Sequence, residues 1–287
     1  ISRYDFTGRN ILEWMLLLPA AIPAYIISYC YTDFFEYAGP LQTALRTAFG
    51  WQTPRDYYFP EIRSLGGAML VMASVLYPYI YMVTRIAFRL TPASLFEIAL
   101  VHNKSQFWHV GLPLARPAIV AGLALVMMEV VSDFGTVEYF AVPTITLGIF
   151  NVWLGMNNLV AAAQISSVGF LFILGLLGLE LYARSRQQYV STSRTQNSPA
   201  ALPTTPVGTL VCWLVCLVPL IFGFFIPLGV LLRFVLRGDL AADFLAIQPI
   251  VTNSVIVAIA AAILIMLIAS VIVLTAAFRA GSILRKM

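Results

Sequence analysis

The stretch Thr91 to Pro117, TPASLFEIALVHNKSQFWHVGLPLARP, separates two apolar runs, Leu65 to Thr84 and Ala118 to Met128. That position places it at a membrane surface between two spans. Thr91 can cap a helix, Pro92 suits the first helical position, and Ser94 with Glu97 has capping-box spacing. The short helix so started carries Leu95, Phe96, Ile98, Ala99, Leu100 and Val101, with Phe107 and Trp108 beyond it. This is more apolar surface than a solvated loop needs, and such a helix calls for a groove in a partner. The alternative is an amphipathic loop lying on the surface, in which Glu97 does no more than close its own cap.

Outward from this stretch the composition is that of a membrane protein. The chain has 287 residues, of which 60% are hydrophobic and 10% charged, and its mean hydropathy is +0.88. The net charge of +4 does not point to nucleic acid, because the basic residues are dispersed beside apolar runs instead of clustered. Cys30, Cys212 and Cys216 form no disulfide framework or metal-ligand spacing and read as membrane-facing filler. No cleavable signal precedes the first apolar run, and the absence of an initiating Met suggests a chain that begins inside a longer one.

Six spans are expected, at about Ile11–Tyr31, Leu65–Thr84, Pro117–Val131, Leu159–Ala183, Val207–Leu232 and Ser254–Ala277, the third of them short. The bilayer core has no water to bond a bare backbone and the segments are too long for barrel strands, so the fold class is an all-α integral membrane protein, a polytopic helical bundle. With the N-terminus inside, Arg85, Arg89, Lys104, Arg116, Arg184 and Arg186 fall on the cytoplasmic side. Arg46, Arg55 and Arg63 lie outside among Asp33, Glu36, Asp56 and Glu61. The polar segment 184–206, with its Ser, Thr, Gln and Pro, reads as a cytoplasmic linker between residues 1–183 and 207–287.

Glu97-Ile98-Ala99, a polar turn, and then Phe107 through Ile119 resemble the cytoplasmic Glu-Ala-Ala loop of ATP-binding-cassette importer permeases. In that family the loop is a coupling helix seated in a cleft of the ATPase subunit. The resemblance thus implies a type I importer permease fold and a coupling role for Glu97, Ile98, Ala99, Leu100, Asn103, Gly111, Leu112 and Pro113. Ile98 replaces the family's Ala, and Asn103 stands where Gly is usual. Leu18 to Tyr25, Tyr31-Thr32-Asp33, and the run Asp133 to Phe140 followed by Val142-Pro143-Thr144, resemble the ferric-iron branch. Those permeases are fused duplications, and a weak echo between Tyr4–Arg9 and Ala277–Gly281 fits a window of one. On that reading, 1–183 is the later part of one repeat and 207–287 the start of the next. The implied partners are two copies of an ATPase subunit and an extracytoplasmic binding protein, with no nucleic acid and no cofactor. The implied location is the bacterial inner membrane.

Charged groups inside spans are costly and need a reason. Glu129 and Asp133 share one helical face, and Glu138 and Tyr139 follow closely; together they offer oxygen ligands to a hard cation in transit. The competing explanation is that they satisfy helix ends or arginines on other spans. A resident metal site is not expected. No phosphate loop, H-E-x-x-H or G-x-S-x-G occurs, so the chain is read as a transport subunit and not an enzyme. Ferric iron is the favoured cargo; thiamine or another small solute is the alternative within the importer class. A secondary transporter driven by an ion gradient through Glu129 and Asp133 is the alternative outside it.

Overall fold

The computed structural model describes residues 1–185, 202–237 and 244–284. A short parallel bridge pairs Tyr4–Asp5 (β1) with Leu202–Pro203 (β2), and every other regular element among the described residues is helical. Packing divides the chain into two compact units, Ile1–Leu232 and Arg233–Met287. Among the described residues, five helices are long and apolar enough to cross a membrane, or up to six if a bent pair at the start counts as one span.

That bent pair occupies the place of the span expected at about Ile11 to Tyr31, and it is broken where a single span was expected. The chain instead forms α1 (Arg9–Met15), a 3-10 turn (Leu18–Ala21), α2 (Ala24–Phe35) and α3 (Pro40–Phe49). Its two arms, Arg9–Ala21 and Ala24–Phe49, meet at 93°. Pro19 and Pro23 are the cause: neither has an N–H to give, and Pro23 holds Ile22 in an extended conformation at φ −103° and ψ 122°. The break turns Tyr31 inward, where it is fully buried and its hydroxyl donates to the Phe222 carbonyl at 2.7 Å.

Ser64 starts α4 (Leu65–Leu90) by accepting the Gly67 N–H at 3.2 Å. After α5 (Ala93–Val101), a single π turn at Phe107–Gly111 leads into α6 (Leu112–Ser132). The third span is therefore not short, because the helical run extends from Phe107 to Ser132 and takes in the second half of the 91–117 segment. The Leu112 N–H bonds the Phe107 carbonyl, five residues back. This wider turn accommodates the missing donor of Pro113 and lets the helix carry on. Next to α4, α6 comes so close that a Cβ on Gly122 would lie 2.8 Å from the Ile80 Cα. Small residues permit such approach, and van der Waals packing then holds the pair.

On the far side of the bundle lie α7 (Gly135–Tyr139) and α8 (Ile145–Phe150), before α9 (Leu159–Ser185) crosses back. Residues 186–201, most of the expected linker, lie outside the described residues. The chain resumes at β2, where the Leu202 N–H bonds the Arg3 carbonyl at 2.9 Å, and continues as α10 (Pro206–Leu220), a π turn (Ile221–Phe225) and α11 (Ile226–Leu236). At that turn a Cβ on Gly223 would lie 2.4 Å from the Ser74 carbonyl oxygen, so only glycine admits the contact with α4. One core cluster gathers Ile27, Tyr31, Val71, Val75, Val137 and Phe140, and a second gathers Phe6, Leu12, Leu16, Cys216 and Leu220. Cys30 and Cys216 are buried inside the bundle and do not face lipid. In the second unit α12 (Phe244–Leu284) carries a stretch of mean hydropathy 3.2, Ile247–Thr275, with none of it covered.

Candidate functional site

Two places gather the residues singled out by sequence. The first is the surface formed by α5 and the turn after it. Phe96 and Ala99 face inward, which turns Glu97, Ile98, Leu100 and Val101 outward. Ile98 is 54% exposed, Leu100 57%, Val101 83%, and beside them Phe107 is 52% and Trp108 65% exposed. So much apolar area around one carboxylate is a surface awaiting a partner or the membrane interface.

The start of α5 differs from expectation. Pro92 occupies the cap position, and no side chain caps the helix. Thr91 is forced extended by the following proline and donates its hydroxyl back to the Ala87 carbonyl at 2.9 Å, the last turn of α4. Ser94 lies inside the helix, so its capping box with Glu97 does not form. The end of α5 is a Schellman motif: the Lys104 N–H bonds Ala99 O at 2.8 Å, and the Asn103 N–H bonds Leu100 O at 3.0 Å. Asn103 sits at φ +51°, the left-handed conformation that asparagine tolerates better than other non-glycine residues. Beyond it Gln106 donates to the Phe96 carbonyl at 3.2 Å and accepts from Arg3 at 3.4 Å, tying α5 to the N-terminal segment. Gly111 is buried against Phe88, and Leu112 and Pro113 open α6.

The second place is a cleft of about 240 Å³ between the first bend, α4 and the end of α6, lined by Pro23, Tyr25, Met72, Tyr79, Glu129 and Asp133. Across Tyr25 and Gly135 it adjoins a second cleft, of about 510 Å³, lined by Tyr29, Glu138 and Tyr139. The four acidic and phenolic residues thus line two neighbouring clefts and do not converge on one point. Asp133 is committed locally: its carboxylate accepts the Thr136 N–H at 2.8 Å and the Thr136 hydroxyl at 3.1 Å, starting α7. Glu129 and Glu138 are exposed, with no hydrogen-bonded side-chain partner among the described residues. Arg63 stacks over the Tyr139 ring at 5.0 Å and pairs with Glu36 at 3.2 Å. Sequence spacing gives no sign of Arg63 or Tyr79, because both arrive from other parts of the chain. Among the described residues no group of three His, Cys, Asp or Glu could hold a metal ion.

No family model matches the chain. It is 24% identical over 273 residues to the Fe(3+)-transport system permease protein of Haemophilus influenzae, covering 90% of this chain and 47% of that protein. It is 25% identical over 188 residues to a Salmonella paratyphi A protein named as a 2-aminoethylphosphonate transport system permease, covering 63% of this chain and 64% of the other. A Bacillus subtilis protein named as a molybdenum transport system permease matches at 24% over 151 residues, 51% of this chain and 63% of its own. The chain spans about half the length of the first relative and under two thirds of the other two. These relatives carry the names of transport permeases and not of enzymes, and the several helices of this chain that are long and apolar enough to cross a membrane are consistent with that class.

Proposed function

We propose that this chain is the membrane-spanning permease part of a binding-protein-dependent, ATP-driven importer of a bacterial inner membrane. The observation that carries the reading is the outward face of α5. It sets Glu97 among Ile98, Leu100 and Val101. A Schellman motif at Asn103 ends the helix, and its orientation is held by α4, Gln106 and the π turn. An apolar helix with one acidic residue, rigidly joined to two spans, can pass a partner's closure on to the membrane. The ATPase, in two copies, supplies the energy from the cytoplasmic side, and a binding protein delivers cargo to the loops 33–64 and 134–158. Ferric iron is the cargo we favour. A relative matched over 90% of this chain is named for Fe(3+) transport, and Glu129 and Glu138 offer oxygen ligands along the clefts.

The test is reconstitution of the permease with its ATPase and binding protein. Glu97→Ala with Leu100→Ala should weaken ATPase association or let hydrolysis run without uptake; normal association and transport would overturn the importer reading. Glu129→Gln with Glu138→Gln should lower ferric uptake while leaving ATPase association intact. Uptake of thiamine, a phosphonate or molybdate in place of iron would overturn the cargo alone. Uptake driven by an ion gradient without ATP would favour a secondary transporter.

A further inference from the structure

At the end of α4 nearest α5, a group of charges faces α1. Glu13, with only 13% of its side chain exposed, pairs with Arg85, and its two oxygens also accept from Arg89 at 3.1 Å each. Arg9, one turn before Glu13, lies close enough to Arg85 for their charges to act on one another, as does Arg89. Two guanidiniums therefore share one carboxylate and a third lies near them without an ion pair among the described residues, so three positive charges gather around one negative charge. The hydrogen-bond inventory is unbalanced in the same direction. The Nε atoms of Arg9 and Arg85, the Tyr77 hydroxyl and the Thr84 hydroxyl are all buried without a partner. Arg9 is half-buried and its side chain has no hydrogen-bonded partner among the described residues, whereas the Arg89 side chain is 48% exposed. Trp14, next to Glu13 on α1, is 71% exposed, an amphipathic ring suited to the level of lipid headgroups.

A cluster of like charges held half-buried at the end of a span is unfavourable unless an anion completes it. The missing group must carry about two negative charges or oxygens enough to accept from several guanidinium N–H donors at once, and it must be reachable from the membrane surface. A phosphate group meets both requirements, since planar guanidiniums bind its oxygens in pairs. Basic recesses between spans at the membrane surface are suited to such headgroups. We propose that the corner between α1 and α4 formed by Arg9, Arg85 and Arg89 binds a phosphate group at the membrane surface. Bound there, the group joins α1 to the end of α4 from which α5 departs.

Two sources of phosphate are distinguished by experiment. The full-length permease, purified in detergent, is incubated with phosphatidylglycerol, with phosphatidylcholine, or with inorganic phosphate, and retained lipid is counted by native mass spectrometry alongside thermal unfolding. Phosphatidylglycerol should be retained over phosphatidylcholine, and Arg9→Gln and Arg89→Gln should each weaken retention about 5-fold. Arg9→Lys and Arg89→Lys, which keep the charge, should lose less, and Arg116→Gln, exposed on α6, should lose nothing. Stabilisation by inorganic phosphate alone, abolished in Arg9→Gln, would support the phosphate site and assign its source to solution. Equal retention of both lipids with no phosphate effect would overturn the proposal, as would unchanged retention in properly folded Arg9→Gln and Arg89→Gln proteins.

Discussion

Asn103 shows how a single backbone angle shapes the exposed apolar surface of α5. At φ +51° it closes α5 and turns the chain toward Phe107. Asn103→Gly should be tolerated, while Asn103→Ala should cost about 1 kcal/mol, read as a lower thermal midpoint in detergent. Asp56 makes a similar point on the opposite face. Its carboxylate accepts the N–H groups of Thr53 and Gln52, each at 2.8 Å, and the Thr53 hydroxyl at 2.9 Å. These bonds hold its pKa below the ordinary 3.8, Thr53 foremost. A depressed carboxylate pKa stabilises the turn at all pH values above the ordinary one, and the contribution is lost as pH falls through the lowered value. Amide-exchange protection at Gln52 and Thr53 should therefore hold at neutral pH and fall in acid below that ordinary value, with Asp56→Asn showing no such step.

Among elements, the pair α4 and α6 carries the bundle, and α1 is fastened to α4 by charge. Gly122→Leu should drive a side chain into the backbone at Ile80, 2.8 Å from the Cβ position, and lower stability by roughly 1–3 kcal/mol or more. Glu13→Gln leaves Arg85, only 17% exposed, without its carboxylate and should cost roughly 3 kcal/mol. The companion change Glu13→Gln with Arg85→Met should recover much of that loss, because two well-packed neutral side chains replace an interrupted ion pair. A thermal-unfolding comparison of the two variants checks this directly. If the single change is neutral, α1 is held by the apolar contacts of Leu12 and Leu16 alone.

For the whole molecule the structure fixes which segments share a side. Arg3 reaches Gln106 at 3.4 Å, and Thr204 donates to the Asp5 carbonyl at 2.9 Å. The N-terminal segment, the turn after α5 and the chain entering α10 therefore lie together, whereas 133–158 and 36–63 lie at the other end of α4, α6 and α9. From the dispersed arginines we propose that the first of these sides is the cytoplasmic one. Single cysteines introduced on a background without Cys30, Cys212 and Cys216 should accept an impermeant reagent from outside at Ser64 and not at Ser105. Labelling at Ser105 from outside would remove an ATPase from reach of α5.

The helical class, the approximate places of the long spans and the exposed apolar character of α5 were determined by the sequence alone, since each depends on hydropathy and charge within a single segment. Asn103 as a turn residue was also legible as a departure from a pattern, though its left-handed angle was not. The bend in the first span was not legible because hydropathy measures length and not direction: Pro19 and Pro23 are individually tolerated in membranes, and the 93° between the arms they separate, with Tyr31 turned in to Phe222, is seen only in the tertiary structure. The short third span was an error of the same kind, since polar residues before Pro117 hide a helix that a π turn makes continuous. Glu129, Asp133, Glu138 and Tyr139 were visible as costly residues. That they line two clefts, with Asp133 occupied by Thr136, could be decided only by the tertiary structure. The group formed by Glu13, Arg85, Arg89 and Arg9 was likewise invisible, because charges some seventy residues apart in sequence become a site only when two helices bring them to one corner.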